Sequence, residues 1–445
     1  MASDGLGDIP KGGWQASRGW RMPEWVEPVL IVTILFSSVW ITRRKNYSIL
    51  QQRSSARYQP VHDESSLYSM PLLDDSDIES PRRSNELDLN PFREANPPKA
   101  RSLCGLMRIQ TPNSSRFTTN VHSRILQKFP FLIEMWYWGI SFGFYRLTTT
   151  LAQWYYGGRR SMWDSAQIHG MYLLDIEATF WGGDHEGPAR WLEWRIQHWF
   201  LMGMEAGDWR GVWLTILNRG YALIHIPGTV GFIAYYYATA PTHSRFCTVR
   251  RTMTLTNFMA FAIFITMPTM PPRLLPEKYG FVDTVNLEKA ESVWMGGDFV
   301  NKLAAMPSMH FGYAFCIGAV FIADSGVLNN TWAWLKRVIA QQTDSNLLMD
   351  DDDSDEKILA QRSAFTRWSM FAFGLWYPCW ILLTIVATAN HYFLDALLAT
   401  FVVMIAYSCN RCLKVFIPLE DCQLWLMRVE KPIPTTGRKK NLAVE

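Results

Sequence analysis

The run SMFAFGLWYPCWILLTIVATA at 369–389 is followed, after Asn390, His391 and Tyr392, by FLDALLATFVVMIAYSC at 393–409. A bilayer core about 30 Å thick is crossed by about 20 apolar helical residues, with a usual range of about 17–25. Both runs meet that requirement. Five further stretches meet it or come near: 25–42, 131–150, 215–238, 252–270 and 309–325. The least clean are 131–150, with Glu134 and Arg146, and 215–238, with Arg219 and His225. Any one of these suits the core of a soluble protein. Seven in one chain predict an all-α polytopic membrane protein.

The averages conceal this. The chain has 445 residues, 49% of them apolar, and a mean hydropathy of -0.05. Yet it carries 21 Trp and 17 Tyr, side chains that collect at membrane–water interfaces, and only 19% charged residues. Polar stretches at 43–128 and 326–366 offset the apolar spans. A net charge of +3 excludes the strongly basic footprint of a nucleic-acid partner. Collagen-like, coiled-coil and disulfide-scaffold classes do not fit the composition.

Orientation follows from Lys and Arg beside the span ends. Arg43, Arg44 and Lys45 follow the first span as a stop-transfer cluster, not a cleavage site. They place 1–24 in a lumen, 25–42 as an N-terminal transmembrane helix and 43–130 in the cytosol, with 46–120 a disordered linker. Alternation then places Arg245, Arg250 and Arg251, the acidic loop 326–366 and the basic tail 411–445 on the cytosolic side. The sequons at Asn46, Asn113 and Asn329 fall on that side too, where glycosylation does not occur. Residues 151–212 lie outside, against the sign of Arg159, Arg160, Arg190, Arg195 and Arg210. There Trp residues interleave with charges at helical spacing, which predicts interfacial helices or helices packed over the bundle. Cys409 and Cys412 form a lone CxxC, better suited to packing or palmitoylation than to a metal.

In this topology four ionisable residues gather at the lumenal ends of the spans: Arg273, His310, His391 and Asp395. Ionisable groups at membrane depth are functional candidates because burying them is costly. His391 and Asp395, at i and i+4, share a helix face. The carboxylate suits the Nδ1 proton, leaving Nε2 to attack phosphorus, and His310 supplies a second imidazole for the leaving alkoxide. Arg273 offers a guanidinium fork to phosphate, and Ser308 a hydroxyl at a helix start. The same His–Asp pair also suits half of a metal site. No further His, Glu or Cys is arranged to complete one, and His225 is expected to be structural or lipid-contacting.

Pro307-Ser308-Met309-His310 resembles the Pro-Ser-Gly-His block of the type-2 phosphatidic acid phosphatase superfamily, and His391-x-x-x-Asp395 resembles the end of its third block. Asn390-His391-Tyr392-Phe393-Leu394-Asp395, and Pro271-Pro272-Arg273 followed by Gly280-Phe281-Val282-Asp283, look like the inositolphosphotransferase branch that holds fungal inositol phosphorylceramide synthases. The resemblance covers about 130–410. It implies a six-helix catalytic membrane domain at 131–410 plus the extra N-terminal helix. It also implies a phosphohistidine on His391 oriented by Asp395, His310 as general acid, no cofactor or metal, a phospholipid or sphingolipid substrate, and a secretory-pathway membrane such as the Golgi. Thr266 stands where the first block has Lys, Ile385 where the third has Arg, and Met309 where the second has Gly. Phosphate binding therefore falls to Arg273 and Ser308, with Lys302 or Arg219 as further cations. Three functions suit these residues: lipid phosphotransfer, lipid phosphate hydrolysis, and non-catalytic lipid binding or assembly.

Overall fold

In the computed structural model the described residues are 25–45, 47–50, 97–103, 107–156, 160–284, 303–328 and 362–436. Residues 1–24, expected to be lumenal, most of the expected linker, most of the acidic loop, the end of the basic tail, Asn46, Asn329 and Lys302 lie outside them.

Helices dominate: α1 (Val26–Ile41), α2 (Val121–Lys128), α3 (Phe131–Tyr156), α4 (Arg160–Trp181), α5 (Leu192–Glu205), α6 (Trp209–Thr239), α7 (His243–Thr266), α8 (Met309–Ser325), α9 (Ala364–Ala387), α10 (Phe393–Cys409) and α11 (Ile417–Leu426). Among the described residues, the helical runs Ala364–Ala387 and Phe393–Leu426 are long and apolar enough to cross a membrane, and α1 and α8 are apolar but shorter. The other expected spans form as the continuous helices α3, α6 and α7, but polar residues interrupt their apolar character. Outward faces are apolar: Phe36, Trp376, Leu397, Phe401 and Met404 are exposed. That is the surface a hydrocarbon solvent selects.

Among the described residues a two-stranded hairpin departs from the all-α expectation. Lys99–Leu103 (β1) and Met107–Thr111 (β2) pair as an antiparallel hairpin, with Arg101 opposite Ile109. It lies within the stretch expected as a disordered linker. The buried Asp421 of α11 anchors it, taking Arg101 Nε at 2.8 Å and the Thr111 hydroxyl at 2.8 Å. Two five-residue strands with few large apolar residues carry little periodic signal, and the anchor is more than 300 positions away.

α8, α9 and α10 run between two chemically different ends. At one end are the start of α8, the end of α9 and the start of α10, covered by α4 and α5. The other end is rich in Arg. Arg245 pairs with the buried Asp324 at 2.8 Å, Arg250 with the buried Glu134 at 2.5 Å, and Arg362 and Arg367 donate to the last carbonyls of α8 and to Gly326. Cations at a helix C-terminus offset its partial negative charge. The tail returns there, with the Thr435 hydroxyl on the carbonyl of Thr42 and Arg44 on that of Ile433.

α8 and α9 approach each other through glycine. A Cβ on Gly318 would sit 2.5 Å from the Gly374 carbonyl oxygen, and one on Gly374 would sit 2.7 Å from that of Gly318. Small residues let helix backbones approach closely within a membrane. Because His310 is the second residue of α8 and α9 ends four residues before His391, this crossing constrains how far apart the two histidines can lie. Gly318→Ala and Gly374→Ala are each expected to destabilise by about 1–3 kcal/mol through overpacking. A lowered melting temperature of detergent-solubilised protein reads this out, and unchanged melting would refute a tight crossing.

Candidate active site

α9 ends in a turn that aims a loop back into the protein. The amides of Asn390 and His391 both donate to the Ile385 carbonyl, at 2.9 and 3.2 Å, and Ala389 adopts φ 52°. The left-handed region is unfavourable for a residue with a Cβ. Here Ala389 is fully buried, and its carbonyl accepts the Arg273 amide at 2.9 Å. The loop holding Arg273 is thereby fixed to the turn that presents His391.

His391 is buried, 5% exposed, and its Nδ1 faces two acceptors: the Ala305 carbonyl at 2.8 Å and Asp395 Oδ2 at 3.3 Å. The shorter contact is to the carbonyl, which accepts only. Nδ1 therefore carries a proton, so in the neutral imidazole the lone pair is on Nε2. Asp395 does reach His391, but not along a shared helix face: α10 begins at Phe393, and His391 precedes its N-cap, Tyr392. Asp395 Oδ2 also accepts the Tyr392 amide at 3.0 Å, a reach from the first turn of α10 back to the residue before it. The orienting role expected of the carboxylate alone is thus divided with a backbone carbonyl. A short parallel bridge, Thr269 with Ala304, holds that carbonyl in place, with the Ala305 amide on the Thr269 carbonyl at 3.2 Å. The Tyr392 hydroxyl donates to the neighbouring Met270 carbonyl at 2.5 Å.

His310 lies in the first turn of α8, its ring centroid 5.6 Å from that of His391. Tyr221 of α6 stacks on it at 4.3 Å. Ser308 caps α8, its Oγ accepting the Phe311 amide at 3.3 Å, while its own amide donates to the Asp395 backbone carbonyl at 3.3 Å. The second and third sequence blocks therefore meet through a backbone hydrogen bond. Ser308 is buried, and its hydroxyl acts first as a helix cap. Arg273 sits on the adjoining loop with Nη1 3.0 Å from both carboxylate oxygens of Asp283. The guanidinium expected to face phosphate is thus partly engaged by an acid. Lys302 lies outside the described residues, and so does the side chain of His225.

Two acids that sequence reasoning passed over complete the site. Glu177 of α4 and Glu193 of α5 are 1% and 0% exposed. Glu177 Oε1 accepts the Leu394 amide at 2.6 Å, and Glu193 Oε1 the Phe393 amide at 3.4 Å. Burial, and next a hydrogen bond with Glu193, pushes the Glu177 carboxyl far above its ordinary range, and Asp395 adds to the rise. Both residues sit in the segment read as an interfacial cover, where acids among Trp residues look solvated. Among the described residues no group of three or more His, Cys, Asp or Glu side chains is arranged to hold a metal ion.

Residues 190–337 match the family model of the PAP2 superfamily. The match takes in Glu193, Arg273, Ser308 and His310 and stops short of His391 and Asp395. It points to a membrane-associated phosphatase or phosphotransferase of lipid phosphates. No curated protein and no solved structure matches the chain.

Two outcomes are expected. A Cβ on Gly170 would lie 2.5 Å from the Tyr392 hydroxyl and 2.8 Å from the Met270 carbonyl oxygen. Gly170→Ala should therefore lower stability by more than Tyr392→Phe, which removes one hydrogen bond at about 1 kcal/mol. Equal melting temperatures for the two variants would contradict this. Second, the folded protein keeps on Glu177 a proton that the unfolded chain releases above the ordinary carboxyl value of 4.5. The stability this contributes is complete below that value and is gone once pH has risen through the folded-state value. The melting temperature of wild type relative to Glu177→Gln should fall between about pH 5 and about pH 9. A difference independent of pH would argue against the bound proton.

Proposed function

We propose that the protein is a multi-pass membrane lipid phosphotransferase that works at the lumenal face of a secretory-pathway membrane, through a phosphohistidine on His391. One observation carries this reading: two buried imidazoles 5.6 Å apart, one with its Nδ1 already committed to acceptors. With Nδ1 protonated, Nε2 of His391 is the nucleophile. It attacks the phosphorus of a phospholipid headgroup, forms the N–P bond, and breaks the bond to the departing alkoxide. His310 donates the proton that neutralises the alkoxide. In the second half, His310 takes the proton from an acceptor hydroxyl, which displaces His391 from phosphorus. Ala305 and Asp395 hold the ring and stabilise the cationic imidazole that forms. Arg273, released in part from Asp283, takes phosphate oxygens.

The lumenal assignment is supported by the Arg-rich opposite end of the bundle, the side that cytosolic loops favour. The acceptor defines the activity. The phrase around His391 favours a ceramide-like alcohol taking phosphoryl-inositol, as in the inositolphosphotransferases it resembles. Water as acceptor makes the protein a lipid phosphate phosphatase.

Purified protein given labelled phosphatidylinositol is expected to yield a ceramide-dependent labelled product. Phosphate released from phosphatidic acid without an acceptor supports hydrolysis. His391→Ala should abolish either activity, and His310→Ala should lower it by about 10²–10⁴-fold. Full activity in His391→Ala would sink the mechanism, and absence of turnover on every lipid phosphate would favour a non-catalytic lipid-binding role.

A further inference from the structure

The first turn of α10 is unusual in where its amides go. The N-terminal amides of a helix have no partner within it. At this one α4 and α5 pack over the turn, with Tyr392 and Asp395 buried and Phe393 and Leu394 half-buried. Three successive amides, of Tyr392, Phe393 and Leu394, are received by three carboxylates from three helices: Asp395 of α10 at 3.0 Å, Glu193 of α5 at 3.4 Å and Glu177 of α4 at 2.6 Å. Trp181 at the end of α4 packs on the Phe393 ring, centroids 5.5 Å apart, and closes the arrangement from the outside.

Each of Glu177 and Glu193 spends Oε1 on an amide. The remaining oxygens, Glu177 Oε2 and Glu193 Oε2, are buried with no donor on them. The two carboxyl groups are themselves near enough to hydrogen-bond each other. Two ionised carboxylates at that separation would repel, and both would repel Asp395. One proton between them satisfies both orphaned oxygens and removes one negative charge. The helix start, with its partial positive charge, stabilises what remains.

We propose that Glu177 and Glu193 are positioning residues for the reaction assigned to His391: sharing one proton, they clamp the first turn of α10 and so hold Asp395 and the His391 imidazole in the attacking geometry. The proposal rests on the reading of His391 as nucleophile. Neither acid touches the reacting atoms. Their effect passes through the backbone at 393 and 394 to Asp395, whose carboxylate and backbone carbonyl contact His391 and Ser308 respectively. The clamp also ties the interfacial cover to the chemistry, because the cover's two helices supply it.

The distinguishing variants are Glu177→Ala and Glu177→Gln. Gln keeps an acceptor for the Leu394 amide and offers an N–H to Glu193 where the shared proton lay, whereas Ala does neither. In the full-length protein, Glu177→Ala is expected to lower kcat by about tenfold or more with KM within about twofold. Glu177→Gln should restore kcat to within about threefold of wild type. Glu193→Gln should behave like Glu177→Gln, and Glu193→Ala, expected to behave like Glu177→Ala, stands in should the latter fail to fold. Hydrogen–deuterium exchange provides a readout that needs no substrate. The amides at 392–394 should exchange faster in Glu177→Ala than in wild type or Glu177→Gln, with exchange in α8 unchanged. Unchanged exchange at 392–394 in Glu177→Ala would overturn the clamp. So would a Gln variant as impaired as the Ala variant. If exchange responds as expected and turnover depends on His391 but not on Glu177, the clamp is structural only and the positioning role fails. If no activity depends on His391, the functional reading fails instead, and exchange still decides whether the clamp exists.

Discussion

The start of the last apolar helix is buried, and a buried helix start must find acceptors for its amides. That constraint organises this protein. With α4 and α5 packed over it, the acceptors are carboxylates, and buried carboxylates bring their own cost. The solution uses one acid from the helix itself and two from the cover, with a single proton on the outer pair. Everything at the candidate site is referred to this helix start. Asp395 meets His391 from it, Ser308 bonds to its backbone, and through Ser308 the first turn of α8 brings His310 alongside.

A second constraint acts at longer range. The glycine crossing of α8 on α9 allows two backbones to come within contact, and both helices end at the site. Their other ends are held by Arg side chains and buried acids. The bundle is thus pinned at the end away from the chemistry, while the near end is built from turns and loops. Ala389 in the left-handed region and the bridge at Thr269 belong to that near end. Loops on a rigid scaffold are where reactive groups are usually presented.

The Arg273 side of the candidate site is economical in charge. Thr266 and Ile385 stand where the sequence blocks that this chain resembles carry cations, and Ile385 is fully buried in the apolar core. Its backbone carbonyl instead receives the amides that shape the His391 turn. Arg273 carries the remaining positive charge of the matched blocks, and Asp283 holds it. An arginine tethered by an acid is pre-positioned and spends less side-chain entropy on meeting a ligand. Any anion it receives must displace that acid, because Asp283 already neutralises the cation.

Much of this was legible from residues alone. Two apolar runs of spanning length are visible in the sequence, because hydrophobic pattern is local, and so is the four-residue spacing of His391 and Asp395, although the fold joins them across the start of α10 and not along a helix face. The Pro-Ser-Met-His stretch marks its own helix start, since Ser is a capping residue. What depended on tertiary structure has no local signature. The acceptor nearest His391 Nδ1 is a backbone carbonyl, and every residue has one; only the fold selects Ala305. Glu177 and Glu193 look like solvated acids among tryptophans until α4 and α5 fold onto Leu394 and Phe393, 217 and 200 positions away. The pairing of Arg273 with Asp283, and the hairpin anchored on Asp421, are likewise decided by approach in space. Hydrophobic pattern and spacing are properties of a segment and can be read from it. The state of a buried charge is a property of its surroundings, and those exist only once the chain has folded.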